Sequence, residues 1–235
     1  MIKQHESMIH PDSNTKLWRY MDFTKLLYLL EKQTLVFPNA NSFEDPYEGT
    51  WPQASFDILT QEGRFPEDTV GQLISGLQNL KKEMFISCWY MSEHESAAMW
   101  DLYLSSKEGV AIQTDTDTLF SELNNSDIDI YVSKVSYLDY DKQPVPLGNI
   151  FYPFTHKRTS FAHENELRAI IWNVGALEPV KHVDINPLSL IKAIHVSPRA
   201  PVWFAELVRS IVGERYQLEV PIETSALYKN PSYRA

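Results

Sequence analysis

Glu164, Glu166 and Arg168 occupy alternate positions of the stretch FAHENELRAI, residues 161–170, which then runs apolar through Ile170, Ile171 and Trp172. In an extended chain alternate side chains share a face, so all three charges would stand together. Carboxylates on the face of a core strand require water or partners. A helix is the competing geometry, and it makes Glu164 and Arg168 an ordinary surface pair worth a few tenths of a kcal/mol. One chemistry and one structural role fit these residue types. Asp45, Glu48, Glu164 and Glu166 with Lys157 are the acids and the lysine that a magnesium-dependent phosphodiesterase or nuclease uses. Alternatively, Glu164 and Glu166 pair with Arg168 and Lys157 in a structural ion network, which imitates a site.

The flanking elements favour the extended reading. LWRYM reads as a short strand, and Asp22 opens a helix whose Leu26, Leu27, Leu29 and Leu30 form a stripe ending near Gln33. TLVF is the next strand, and residues 39–65 form a long ordered loop. Pro66 starts a helix carrying Val70, Leu73, Ile74, Leu77 and Leu80. MFISCWY, 84–90, is a buried strand, and Ser92 with Glu95 has the capping-box spacing of a helix through Ala98, Met99 and Leu102. GVAIQT is a strand, a short helix follows Asp115 and Asp117, and YVSKVSYL is a strand. Residues 149–160 are an irregular or helical lead into the charged segment. KAIHVSP is a late strand, Pro201 opens an amphipathic helix, and YQLEVPI closes the sheet. Helices and short strands without a βαβ rhythm give an α+β class with a mixed or antiparallel sheet.

With 235 residues and 43% hydrophobic content, the chain suits one domain over 16–222, with a flexible segment 1–15 and a tail 223–235. A net charge of -10 disfavours nucleic acid as a primary ligand. The single cysteine, Cys88, the polar N-terminus MIKQHESMIH and the lack of an apolar run of about 20 residues point to a cytoplasmic protein with no membrane contact. His156 and His163 lack the spacing of a zinc pair, so no metal is assigned to them. No Gly-rich phosphate loop or Gly-x-Ser-x-Gly elbow occurs.

Several blocks resemble the bacterial family named domain of unknown function 2971: WRYMDF at 18–23, FEDPYEG at 43–49, SCWYMSEHESAAMWDLY at 87–103, GVAI at 109–112, and K-x-x-x-F-x-x-E-x-E-x-R at 157–168. That family implies no activity. A second resemblance supplies one. Arg19 on an early strand, Ser87 on a middle strand and Glu164-Asn165-Glu166 on a late one follow the order of Arg-Ser-Glu ADP-ribosyltransferases, although the usual Ser-Thr-Ser is here Ser87-Cys88-Trp89. This resemblance implies NAD as co-substrate, cleaved by ADP-ribosyl transfer or hydrolysis, with an acceptor macromolecule that is unknown. Glu166 would stabilise the oxocarbenium-like transition state through a ribose hydroxyl, and Glu164 would orient or deprotonate the acceptor. Arg19 would fork onto the pyrophosphate, Ser87 would orient the cofactor, and Tyr20, Trp89 or Trp100 would stack on a ring.

Plainer roles stand beside each of these. Arg19 between Trp18 and Tyr20 suits a stacked structural arginine. Ser87 suits a small core polar residue, and Cys88 a small buried hydrophobe. Asp45 and Glu48 around Pro46 suit a turn. Trp100 suits a helix core. A non-enzymatic ligand- or protein-binding module built on the 39–65 loop and the Trp-rich helix is the remaining alternative.

Overall fold

A computed structural model describes residues 1–61 and 67–231. In chain order it forms β1 (Lys16–Asp22), α1 (Phe23–Lys32), β2 (Thr34–Pro38), a 3₁₀ turn (Ala40–Ser42), α2 (Gln53–Gln61), α3 (Glu67–Glu83), β3 (Met84–Met91), α4 (Ala97–Tyr103), β4 (Gly109–Asp115), α5 (Thr116–Asn124), β5 (Tyr131–Lys134) and β6 (Ser136–Leu138). There follow α6 (Tyr152–Thr155), β7 (His156–Arg158), a 3₁₀ helix (Thr159–Glu164), β8 (Glu166–Trp172), β9 (Val180–Asp184), α7 (Pro187–Leu190), β10 (Ala193–Val196), α8 (Val202–Ser210), a π turn (Ile211–Arg215) and β11 (Ile222–Thr224). The class is α+β with mostly antiparallel strands, as the interspersed pattern implies. Among the described residues no helix is long and apolar enough to cross a membrane.

The chain divides into two compact units. One comprises residues 1–11, 36–89 and 126–183. Its strands run in the order β3-β8-β5, with β5 antiparallel to β8, and β6 and β7 form a short parallel pair. Met84 and Ile86 of β3 and Ile170 of β8 pack with Phe151 and Phe154 to make its core. Residues 1–11 hydrogen-bond along 126–134: Lys3 N–H donates to Ile130 O at 2.8 Å and Lys134 N–H to Ile9 O at 2.7 Å.

The other unit comprises residues 12–35, 90–125 and 184–235. Its strands run β11-β10-β4-β1, with β1 antiparallel to β4 over the full register from Lys16↔Asp115 to Asp22↔Gly109. β1 also pairs with the last residues of β3, Trp18 opposite Tyr90. Trp18, Tyr20, Met99, Trp100 and Ala111 form a core cluster on one face.

Several local expectations differ from the structure. The 39–65 segment is not a continuous loop, because Phe56 and Leu59 of α2 bury against Leu77 of α3. The expected helix opening at Pro66 and the side chain of Val70 lie outside the described residues. The cap of α4 is Ser96, not Ser92: Met99 N–H donates to Ser96 Oγ, while Ser92 Oγ accepts from His94 N–H. YVSKVSYL is divided into two strands with different partners, β5 beside β8 and β6 beside β7. YQLEVPI is not a strand; Gln217 is left-handed at φ 53°, and pairing begins only at Ile222, where β11 runs parallel to β10. β9, paired with β2, carried too few buried positions to be read as a strand.

The start of α5 shows a cap with two partners. Thr118 N–H donates to Asp115 Oδ1 at 2.9 Å, and Lys192 pairs with the other carboxylate oxygen. Half-exposed ion pairs contribute little, whereas the cap contributes about 1 kcal/mol. Asp115→Asn should therefore unfold in urea within a few tenths of a kcal/mol of wild type, and Asp115→Ala about 1 kcal/mol earlier.

Candidate functional site

β8 places Glu166 and Arg168 on one face and Leu167, Ala169 and Ile171 on the other, as alternation requires. Glu164 is not on that strand, contrary to the expectation that all three charges share an extended segment. It ends the 3₁₀ helix, and Asn165 then turns left-handed at φ 35° and ψ 59°. Asn tolerates this region better than most residues. The turn returns the Glu164 side chain to the lysine that Glu166 also meets.

The result is a buried ionic cluster in the unit that contains β8. Arg168 is 1% exposed and makes a fork-to-fork pair with Glu48, Nη1 to Oε2 and Nη2 to Oε1 both at 2.8 Å. Its Nε also donates to Glu166 Oε2 at 2.8 Å, and Nη1 donates to Phe154 O at 2.9 Å. Lys157 of β7 donates to Glu164 Oε2 at 2.5 Å and to Glu166 Oε1 at 3.1 Å, and lies 3.1 Å from Glu48 Oε1. Tyr137 Oη accepts the Glu166 backbone N–H at 3.0 Å. Gly49 delivers Glu48. It has φ +68°, donates its N–H to Pro153 O, and a Cβ there would stand 2.5 Å from the Phe154 ring. Beside it Tyr47 N–H closes a turn on Asp45 Oδ1, which also accepts Arg158 Nη2 at 2.8 Å.

Charge in this cluster is divided unevenly. Burial alone would raise the Glu48 and Glu166 carboxyls, but Arg168 and Lys157 outweigh it and hold both below the ordinary range, Glu166 well below. Burial, together with the hydrogen bond and repulsion from Glu166, pushes Glu164 up to about 8 against the pull of Lys157. Two anions thus balance two cations, and Glu164 keeps a proton near neutral pH that it donates to Glu166. Cys88 faces the same cluster, and burial and Glu166 push its thiol well up.

Because Cys88 faces Glu166, its neighbours Ser87 and Trp89, both buried on β3, point to the opposite face of the strand. The structure does not bring them to the Glu166 carboxylate. Arg19, Tyr20 and Trp100 belong to the other unit. There the Tyr20 and Trp100 rings meet edge to face at 4.8 Å, Tyr20 Oη accepts Ser96 N–H, and Trp100 Nε1 donates to Glu95. Arg19, half-buried and itself engaged, lies on the opposite face of β1 from Tyr20. Glu48 was grouped with Glu166 only as an acid of the magnesium reading, not as the partner of Arg168, and Cys88 is the cluster member that the sequence did not place with Glu166. The repeated acid spacing of FEDPYEG was the available signal for Glu48, and none existed for Cys88. Among the described residues no group of three or more His, Cys, Asp or Glu side chains is placed to hold a metal. The four acids of the magnesium reading are instead taken by Arg158, Arg168 and Lys157.

No family model matches the chain, so the 2971 resemblance is not confirmed there, and no curated protein matches. Solved structures of Thermus sp. 2.9 DarT align with the chain at low similarity. The complex with NAD+ aligns with TM-score 0.43 and 8% identity over 92% of this chain and 97% of that one. The complex with carba-NAD+ gives 0.42 and 8% over 92% and 96%. The complex with ADP-ribosylated ssDNA gives 0.42 and 10% over 92% and 95%. The likeness is one of chain course alone.

Removing one partner of this cluster leaves a buried charge uncompensated. Glu48→Ala should lower unfolding free energy by about 3–5 kcal/mol in chemical denaturation. Glu164 adds a pH signature. Between its ordinary 4.5 and about 8 the folded protein holds a proton that the unfolded chain has released, so stability falls as pH rises through that window. Melting temperatures of Glu164→Gln, measured from pH 5 to 8.5, should lack this decline.

Proposed function

We propose that the protein cleaves the nicotinamide glycosidic bond of NAD and passes the ADP-ribosyl group to water or to an acceptor macromolecule. The observation that carries this reading is the Glu164–Glu166 pair, two touching carboxyls whose surroundings drive their proton affinities apart. Such division is how one site holds both a permanent anion and a proton-exchanging group. The Arg19, Ser87, Glu164-Asn165-Glu166 order of the sequence supports the same reading.

In the reaction the C1′–N bond breaks and its electron pair goes to the nicotinamide ring nitrogen, discharging the pyridinium. Positive charge develops on the ribose, and ionised Glu166, hydrogen-bonded to a ribose hydroxyl, stabilises it. Glu164 is the more exposed of the two carboxyl side chains, 9% against 3%, and is the group a ribose hydroxyl displaces. Once ionised it accepts the proton of the attacking water or acceptor. Lys157 and Arg168 keep Glu166 anionic throughout.

Nicotinamide release from NAD is the direct test, with water alone and with protein and nucleic-acid acceptors. Wild-type turnover should rise with pH through about 8, as Glu164 ionises. Glu166→Gln should retain NAD binding and lose about 100-fold to 1,000-fold in turnover, the scale of one preorganised electrostatic group. Glu164→Gln should flatten the pH profile. An inactive wild type that does not bind NAD, with both variants merely lowered in melting temperature, would reduce the pair to a structural ion network.

A further inference from the structure

A second group of chemistry-bearing side chains lines a cavity of about 270 Å³ in the unit that contains β1 and β4. Its walls include Trp100, Ser105, Ser106, Lys107, Ser197 and Arg199. The proposed NAD chemistry uses none of these polar groups.

The loop that carries three of them is held from both ends. Ser105 N–H and Oγ–H both donate to the Asp22 carboxylate, at 3.0 and 2.8 Å. At the other end the Leu104 side chain packs over Gly109, where an added Cβ would meet its methyls at 2.3 and 2.5 Å. Ser197 faces the loop from beyond β10 and donates its backbone N–H to Gly109 O at 3.0 Å.

The hydroxyl bonding is one-sided. Ser106 Oγ accepts Glu108 N–H at 3.1 Å, and Ser197 Oγ accepts Arg199 N–H at 3.3 Å. A hydroxyl is both donor and acceptor. Each of these has an acceptor bond to the backbone and a hydrogen that no described residue takes. Ser197 is 2% exposed and lines the cavity. Lys107 is exposed, and no described carboxylate pairs with it. Arg199 pairs with Asp101 at 3.2 Å, while its guanidinium stays half-exposed. Lys107 and Arg199 are the two cations of the lining and Asp101 its one carboxylate, with Asp22 behind Ser105.

Surplus donors, two cations and a cavity with room for a phosphate group make a complementary set for phosphate oxygens. We propose that this cavity binds a phosphate group, with Ser106 and Ser197 donating hydroxyl hydrogens, Lys107 supplying a point charge and Arg199 turning part of its fork from Asp101.

The test uses binding without turnover, so it stands apart from NAD cleavage. Pyrophosphate, ADP and oligothymidylate are titrated at low ionic strength, with melting temperature and calorimetry as readouts. Lys107→Met, at an exposed loop position, leaves the fold unchanged and should weaken binding about 3-fold to 10-fold, the worth of one partly screened charge. Ser197→Ala should weaken it further in combination, and added salt should erase the lysine effect. Weakening in the pyrophosphate and ADP arms marks a nucleotide phosphate. Weakening confined to oligothymidylate marks a nucleic-acid backbone as the source of the same chemistry. Binding that is equal in wild type and both variants, or absent in every arm, overturns the proposal.

Discussion

Arg168 is a guanidinium with five donors and almost no access to water. A buried cation of that kind is tolerable only if its donors meet acceptors and its charge meets anions. Glu48 and Glu166 supply the charge and Phe154 O an additional acceptor, and between them they draw three chain segments together: the FEDPYEG turn, the end of α6 and the start of β8. Lys157 then compensates the second carboxylate. The left-handed Asn165, the glycine at 49 and the short strand β7 are all read most simply as the backbone geometry this demand requires.

The same cluster explains why Glu164 behaves unlike its neighbours. With Glu48 and Glu166 ionised, the two cations are fully matched, and a further negative charge would meet repulsion in a place where water screens little. Holding a proton is the cheaper state. A titratable group near neutrality thus arises as the odd member of a set whose other charges balance.

Much of the framework was legible in the residues. MFISCWY and ELRAIIW are strands because β-branched and aromatic residues fill both faces, and Asp22, Asp115 and Pro201 mark helix starts where they were expected. What was not legible depended on choices that local spacing cannot make. Ser92 and Ser96 both suit a cap, and tertiary placement of the Tyr20 hydroxyl on Ser96 N–H accompanies the second. The period-two spacing of Glu164, Glu166 and Arg168 suggested one strand face, but one left-handed residue broke the period while still delivering Glu164 to Lys157. Glu48 lies 120 residues from Arg168, a separation over which no periodicity reports. The opposite facing of Ser87 from Glu166 became visible only through Cys88.

The fork between Glu48 and Arg168 also bears on how such a protein can change over generations. Each partner is intolerable without the other, and Lys157 depends on both Glu48 and Glu166. An exchange for apolar residues of equal volume would be nearly neutral once complete, yet every single step toward it strands a charge in the interior. The four residues are therefore confined to a small island of sequence space, reached together and left together, whatever chemistry they serve.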